Sequence, residues 1–152
     1  PLWGRAIGGG GTDIIVDAAT DAAGHVYLVA SVQGAVDLDG DGRPDATVAG
    51  GTGLLVASYD LAGALRWARV AASRRDVTGA AIAVTDGAVQ VAGHYRGDDV
   101  DLDGDGRADL PPPGEGGAPL LAHFDAGGTL TRAAAVLGPG DTRIGRLEDR
   151  IG

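Results

Sequence analysis

Cysteine, lysine and methionine are absent from this chain of 152 residues, and aromatic side chains are few: two Trp, three Tyr and one Phe. Each absence excludes something. Without cysteine there are no disulfides and no thiolate metal sites, which leaves oxidising and reducing compartments equally open. Without lysine there is no P-loop, so "GGGGTD" at 8–13 is expected to be a mobile connection and not a phosphate cradle. No apolar run approaches the roughly 18 residues of a membrane span. All twelve basic residues are arginine, and the net charge of −9 argues against a nucleic-acid partner, whose backbone is bound by clustered positive charge. Much of the 44% apolar share is alanine, so a thin core is expected, helped by bound metal or subunit contacts. With no signal peptide and Pro1 in place of an initiator Met, the chain is expected to be a mature or processed piece.

Catalytic constellations are equally scarce. None of Ser31, Ser58 and Ser73 stands in a G-x-S-x-G elbow, and His25, His94 and His123 have no partner motif. Glutamate occurs only at Glu115 and Glu148, both in irregular stretches, which weakens a paired-carboxylate hydrolase. The expectation is a protein that is not an enzyme.

What the chain does have is an internal repeat. Trp3 and Trp67 are 64 residues apart, as are Asp37 and Asp101; Asp60 and Asp125 are 65 apart. Each period contains four β-branched or alternating segments bounded by Gly and Asp turns, here called A to D. Segment A covers 13–20 and 79–84, B covers 26–32 and 89–95, C covers 54–60 and 120–125, and D covers 65–70 and 130–136, with 2–7 as a further D at the start. The expected fold is all-β: tandem four-stranded antiparallel blade-like repeats of about 64 residues, each with a calcium-binding loop. Repeat 1 runs over 1–64, repeat 2 over 65–129, and 130–152 is a partial third repeat and tail. In the tail, Ile144, Leu147 and Ile151 are spaced as on one helix face, while its place in the repeat calls for strand A; both readings stand. "PPPGEGG" at 111–117 is expected to be a rigid surface loop.

Between B and C each repeat carries an acidic loop, "VDLDGDGRPD" at 36–45 and "VDLDGDGRAD" at 100–109. Aspartates at loop positions 1, 3, 5 and 9, with a Gly at 6, concentrate hard oxygen donors on one tight turn, as calcium requires with its 6 to 8 oxygens at about 2.3 to 2.6 Å. The ligands expected are the carboxylates of Asp37, Asp39, Asp41 and Asp45 with the backbone carbonyl of Arg43, and in the second copy Asp101, Asp103, Asp105 and Asp109 with that of Arg107. Gly40 and Gly104 relax the bend between them. Two Ca2+ ions would bring the formal charge from −9 to about −5. Position 12, where an EF-hand has its bidentate Glu, falls on Val48 and Pro112, and strands flank the loops instead of helices, so these are not EF-hands. A solvated acidic turn is the plainer alternative, but four crowded carboxylates would repel one another without a counter-ion.

The segments "AIAVTDGAVQVAGHYRG", "LLVASYDLAGALRWARV" and "LLAHFDAGGTL" resemble the seven-bladed β-propeller (SBBP) repeats of secreted bacterial proteins, with Tyr59, Asp60, Gly63 and Trp67 matching the end of that pattern. The acidic loops resemble the calcium hairpins of FG-GAP and integrin-type propellers. The likeness covers the chain to about Val136, but two repeats are fewer than a closed propeller needs, and Arg132 stands where Trp3 and Trp67 would recur. It implies blade-like sheets and an extracellular or cell-surface setting. The function expected is a calcium-binding structural building block of a fibre or surface assembly, a homo-oligomer or polymer formed through strand or loop contacts. The alternative is a fragment of a secreted adhesin-like propeller that binds glycan or protein through Trp3, Trp67, Tyr95 or the Pro-rich loop. Trp3 and Trp67 have a plainer role too, packing the core once per repeat.

Overall fold

β-branched and leucine side chains placed two apart, with Gly-containing turns between the runs, produce nine antiparallel strands in the computed structural model, which describes residues 2–138. They are β1 (Gly8–Gly9), β2 (Ile14–Thr20), β3 (Val26–Asp37), β4 (Ala46–Tyr59), β5 (Leu65–Ala71), β6 (Val77–Thr85), β7 (Ala88–Tyr95), β8 (Ala118–Phe124) and β9 (Leu130–Ala135). There are two sheets. In the first, β2, β3, β4 and β5 form a meander, and the two residues of β1 extend it beside the end of β3; in the second, β6 to β9 form a meander of their own. The tail readings at 144, 147 and 151 lie outside the described residues.

Segments A, B, C and D fall on β2 to β5 and again on β6 to β9, with one exception. Residues 2–7, expected as a strand D, form no strand. A D segment is held by the ladder to the C before it, as β5 is by β4 and β9 by β8, and residues 2–7 have no such ladder among the described residues.

The sheets stack face to face. Tyr27, Val29, Leu54, Val56 and Trp67 of the first meet Val91, Tyr95, Leu120, Ala122 and Phe124 of the second in one buried cluster. Strand β6 lies against β2, β3 and β4 and is tied to the first two by backbone amides: Ile82 donates to Asp17 Oδ2 at 3.0 Å and Gly79 to Ser31 Oγ at 3.2 Å. A second cluster, with Leu28, Ala30, Leu55, Ala57 and Tyr59, covers the opposite face of the first sheet. This explains the unbroken burial of Leu54 to Tyr59: the C-terminal part of β4 is covered on both faces, whereas β8 alternates buried and open. All three tyrosines and the single phenylalanine are fully buried, so the few large side chains are spent where sheets or loops meet.

One contact recurs at the repeat spacing. The Trp67 ring sits 6.1 Å from Phe124 at 32° and lies over the turn glycine Gly128, where a Cβ would come within 2.5 Å of it. The Trp3 ring sits 6.1 Å from Tyr59 at 39° and lies over Gly63, where a Cβ would come within 2.6 Å. Trp67 also donates its indole N–H to the Ala126 carbonyl at 2.8 Å and is 8% exposed, whereas Trp3 is 38% exposed. Residues 2–7 therefore dock their side chains as a D segment does although they form no ladder.

Candidate metal centres

The first acidic loop closes a long hairpin. Gly34, Ala35 and Val36 of β3 pair with Val48, Thr47 and Ala46 of β4, which brings Asp37 and Asp45 to the two sides of the loop mouth. Asp37 Oδ1 and Oδ2 accept the amides of Gly40 at 2.7 Å and Gly42 at 2.8 Å, and Asp45 Oδ2 accepts those of Leu38 at 2.7 Å and Asp39 at 3.2 Å. Gly40 and Gly42 take φ of 79° and 86°, so the inward winding of the turn needs glycine at both positions. The amides of Gly42 and Gly40, the largest influence, hold the Asp37 carboxyl below its ordinary range against partial desolvation, which keeps it an anion.

The second loop repeats this wiring. Asp101 accepts from Gly104 at 2.6 Å and Gly106 at 2.8 Å, and Asp109 Oδ2 accepts from Leu102 at 2.7 Å. Its surroundings differ. It lies inside the long 96–117 connection without hairpin arms, because Pro111 to Pro113 offer no amide to a ladder. Asp101 instead bridges Ala72, and Tyr95 donates its hydroxyl to the Pro111 carbonyl at 2.7 Å, which makes Pro111 a buried anchor; the surface loop expected over 111–117 is open only beyond it. Asp109 is 1% exposed, while Asp45 is open to solvent.

Six of the eight aspartates expected as ligands converge in two triads. Oxygens of Asp37, Asp39 and Asp45 lie within 4.8 Å of one another, as do those of Asp101, Asp103 and Asp109, and each triad could hold a metal ion. Asp41 and Asp105 stand outside the triads and accept the amides of Arg43 and Arg107, both at 2.8 Å. Those two arginines close the turn.

Four contributors escape the acidic pattern. Gly9 pairs with Val36, and a Cβ there would lie 1.7 Å from the Ala35 carbonyl oxygen, so only glycine fits. Asp13 accepts the Gly9 amide at 2.9 Å and the Gln33 amide at 3.1 Å. The stretch 8–13, expected to be mobile, is thus fastened to the root of the first loop. Arg5 donates to the carbonyls of Asp39 in the loop and Gly63 in the turn beyond it. Tyr59 donates to the Leu38 carbonyl at 2.9 Å, and burial pushes its phenol up to about 12, which keeps it a donor. For Arg5 a sequence signal exists: each Trp of the repeat is followed two residues later by Arg, Arg5 and Arg69. Arg69 lines a cleft of about 440 Å3 with Leu38, Asp45, Val70, Asp103 and Gly104, so it stands between the two loops.

Comparison with known protein families, curated proteins and solved structures finds no match. No helix among the described residues is long and apolar enough to cross a membrane.

Proposed function

We propose that this chain is a non-enzymatic, calcium-binding structural repeat protein of an extracellular or cell-surface assembly, with one Ca2+ in each acidic loop. The observation that carries the reading is the convergence of three carboxylates in each of two loops of the same spacing, on turns whose glycine geometry and amide hydrogen bonds recur. All-oxygen donor sets on flexible turns suit calcium better than magnesium, which holds its waters and demands a stricter octahedron. The ligands of each ion are the triad, completed by the Arg43 or Arg107 carbonyl, by Asp41 or Asp105 and by water. Two stacked four-stranded meanders support the likeness to propeller blades. Ser58 is buried against Arg66 at 2.8 Å, and His25 is taken up by Asp21 at 2.8 Å.

Assembly is supported by the edge strand β2, where Ile14, Ile15 and Val16 are consecutive and exposed. An uncovered apolar strand edge is a template for another strand. Equilibrium dialysis against calcium is expected to give two bound ions per chain, one lost in Asp39→Asn and the other in Asp103→Asn; no bound calcium in the wild type at about 1 mM free ion refutes the metal reading. Light scattering with calcium is expected to show a polymer that Ile15→Lys breaks down. A monomer at high protein and calcium concentration refutes the building-block reading and leaves the adhesin-like fragment.

A further inference from the structure

Resting on that reading, the two centres differ in how they are held, and the difference lies in residues 2–7. Trp3 packs on Tyr59 and over Gly63, and the Arg5 guanidinium lies 6.0 Å from the Tyr59 ring centre. Arg5 then joins the Asp39 carbonyl to the Gly63 carbonyl, and the Tyr59 hydroxyl takes the Leu38 carbonyl. Leu38 and Asp39 are the two residues whose amides orient the carboxylate of Asp45. A continuous path thus runs from the docked segment to the ligands of the first centre. At the second centre the corresponding parts do not form it. Arg69 donates to the Ala68 carbonyl at 2.9 Å, and Phe124, in the place of Tyr59, has no hydroxyl. The second loop is tied into the core through Tyr95, Ala72 and the buried Asp109.

We propose that residues 2–7 form a clamp whose docking is coupled to cation binding at the first centre and not at the second. The physical ground is reciprocity. A cation that fixes the turn at Leu38 and Asp39 fixes the two carbonyls that Tyr59 and Arg5 grip, and the grip in turn preorders the turn for the cation, so each favours the other by the same factor. Arg5 and Tyr59 are positioning residues; neither touches the ion. A Trp3 ring that is 38% exposed and held mainly by this contact is its natural reporter.

The test uses the whole chain and calcium alone. Arg5→Gln and Tyr59→Phe are each expected to weaken the first site about tenfold, the factor that a difference of about 1.4 kcal/mol produces, and to leave the second unchanged. In a Trp67→Phe background, Trp3 fluorescence is expected to shift and lose acrylamide access on calcium addition. That response is expected to vanish in Asp39→Asn and to persist in Asp103→Asn. Two calcium sites with first-site affinity unaltered in Arg5→Gln and Tyr59→Phe, or a Trp3 signal that follows Asp103 instead of Asp39, would overturn the clamp while leaving the metal reading intact. Absence of calcium binding in the wild type would overturn both.

Discussion

Replacing Asp103 by Asn separates the charge of a ligand from its shape. Asp103 Oδ1 accepts the Asp105 amide at 3.1 Å, a bond that an Asn oxygen retains, so the turn keeps its hydrogen bonds and loses one negative charge. Carboxylates of the second triad lie within 4.8 Å of one another, with Asp109 1% exposed. At that distance each pair of unit charges repels by about 3.5 kcal/mol at an effective dielectric of about 20. Removing one charge therefore relieves repulsion when no cation is present. With calcium, a site of about 10 µM affinity in about 1 mM free ion contributes about 2.7 kcal/mol to folding stability. For a chain of this size that corresponds to a shift in Tm of about 8 to 10 °C. Thermal unfolding followed by circular dichroism, in 1 mM calcium and in chelator, is expected to show Asp103→Asn about 8 to 10 °C below the wild type in calcium and equal to it or above it in chelator. An equal loss in both conditions would refute the ligand assignment, because it would mean that Asp103 stabilises the turn by itself.

Three further outcomes follow from particular contacts. Trp67→Ala removes a ring packed between Tyr27 and Phe124 and bonded to Ala126, and is expected to cost about 3 to 5 kcal/mol in urea unfolding; a loss below about 1 kcal/mol would mean that the two sheets do not depend on this ring. Gly128→Ala places a Cβ 2.5 Å from the Trp67 ring at φ of 82°, so it should destabilise by more than about 1 kcal/mol, whereas Gly127→Ala, with nothing nearer than 3.4 Å, should be close to neutral in the same assay. Desolvation tends to raise the pKa of Asp21, but hydrogen bonds from the His25 ring, the His25 amide and the Tyr27 hydroxyl outweigh it and bring it down to about 2. A lowered folded-state pKa means a contribution present above the unfolded value of about 3.9 and lost as pH falls toward 2. The stability gap between wild type and Asp21→Asn should close as pH falls from about 4 to 2; a gap unchanged between about pH 5 and 2 would refute the assignment.

Much of the strand order was legible because it rests on local chemistry. Alternation in "VQVAGHY" and "PLLAHF" marks strands with one face buried, and Gly and Asp punctuate the turns. The first acidic loop was legible from its spacing, since Asp37 to Asp45 bind one another's amides within nine residues. The lengthening of β3 and β4 into hairpin arms was less so, because Ala, Gly and Thr on either side of the loop have weak strand preference and pair only because the opposite arm is present. The same absence of a partner ladder explains residues 2–7, whose D-like sequence supplies docking side chains but not a strand.

Sequence by itself determined the period, the all-β character, the two sets of aspartates and the glycines that let each turn wind inward. These depend on side-chain spacing and backbone freedom over a few residues. Only the tertiary structure decided which carboxylates converge in triads and how differently the two loops are held, the first against Arg5 and Tyr59 and the second against Tyr95 and Ala72. Contacts between residues 34 to 58 positions apart, such as Arg5 with Asp39 and with Gly63, arise where residues 2–7 dock on two turns of the first sheet. Their geometry is fixed by how distant parts of the chain pack together, which local spacing does not encode.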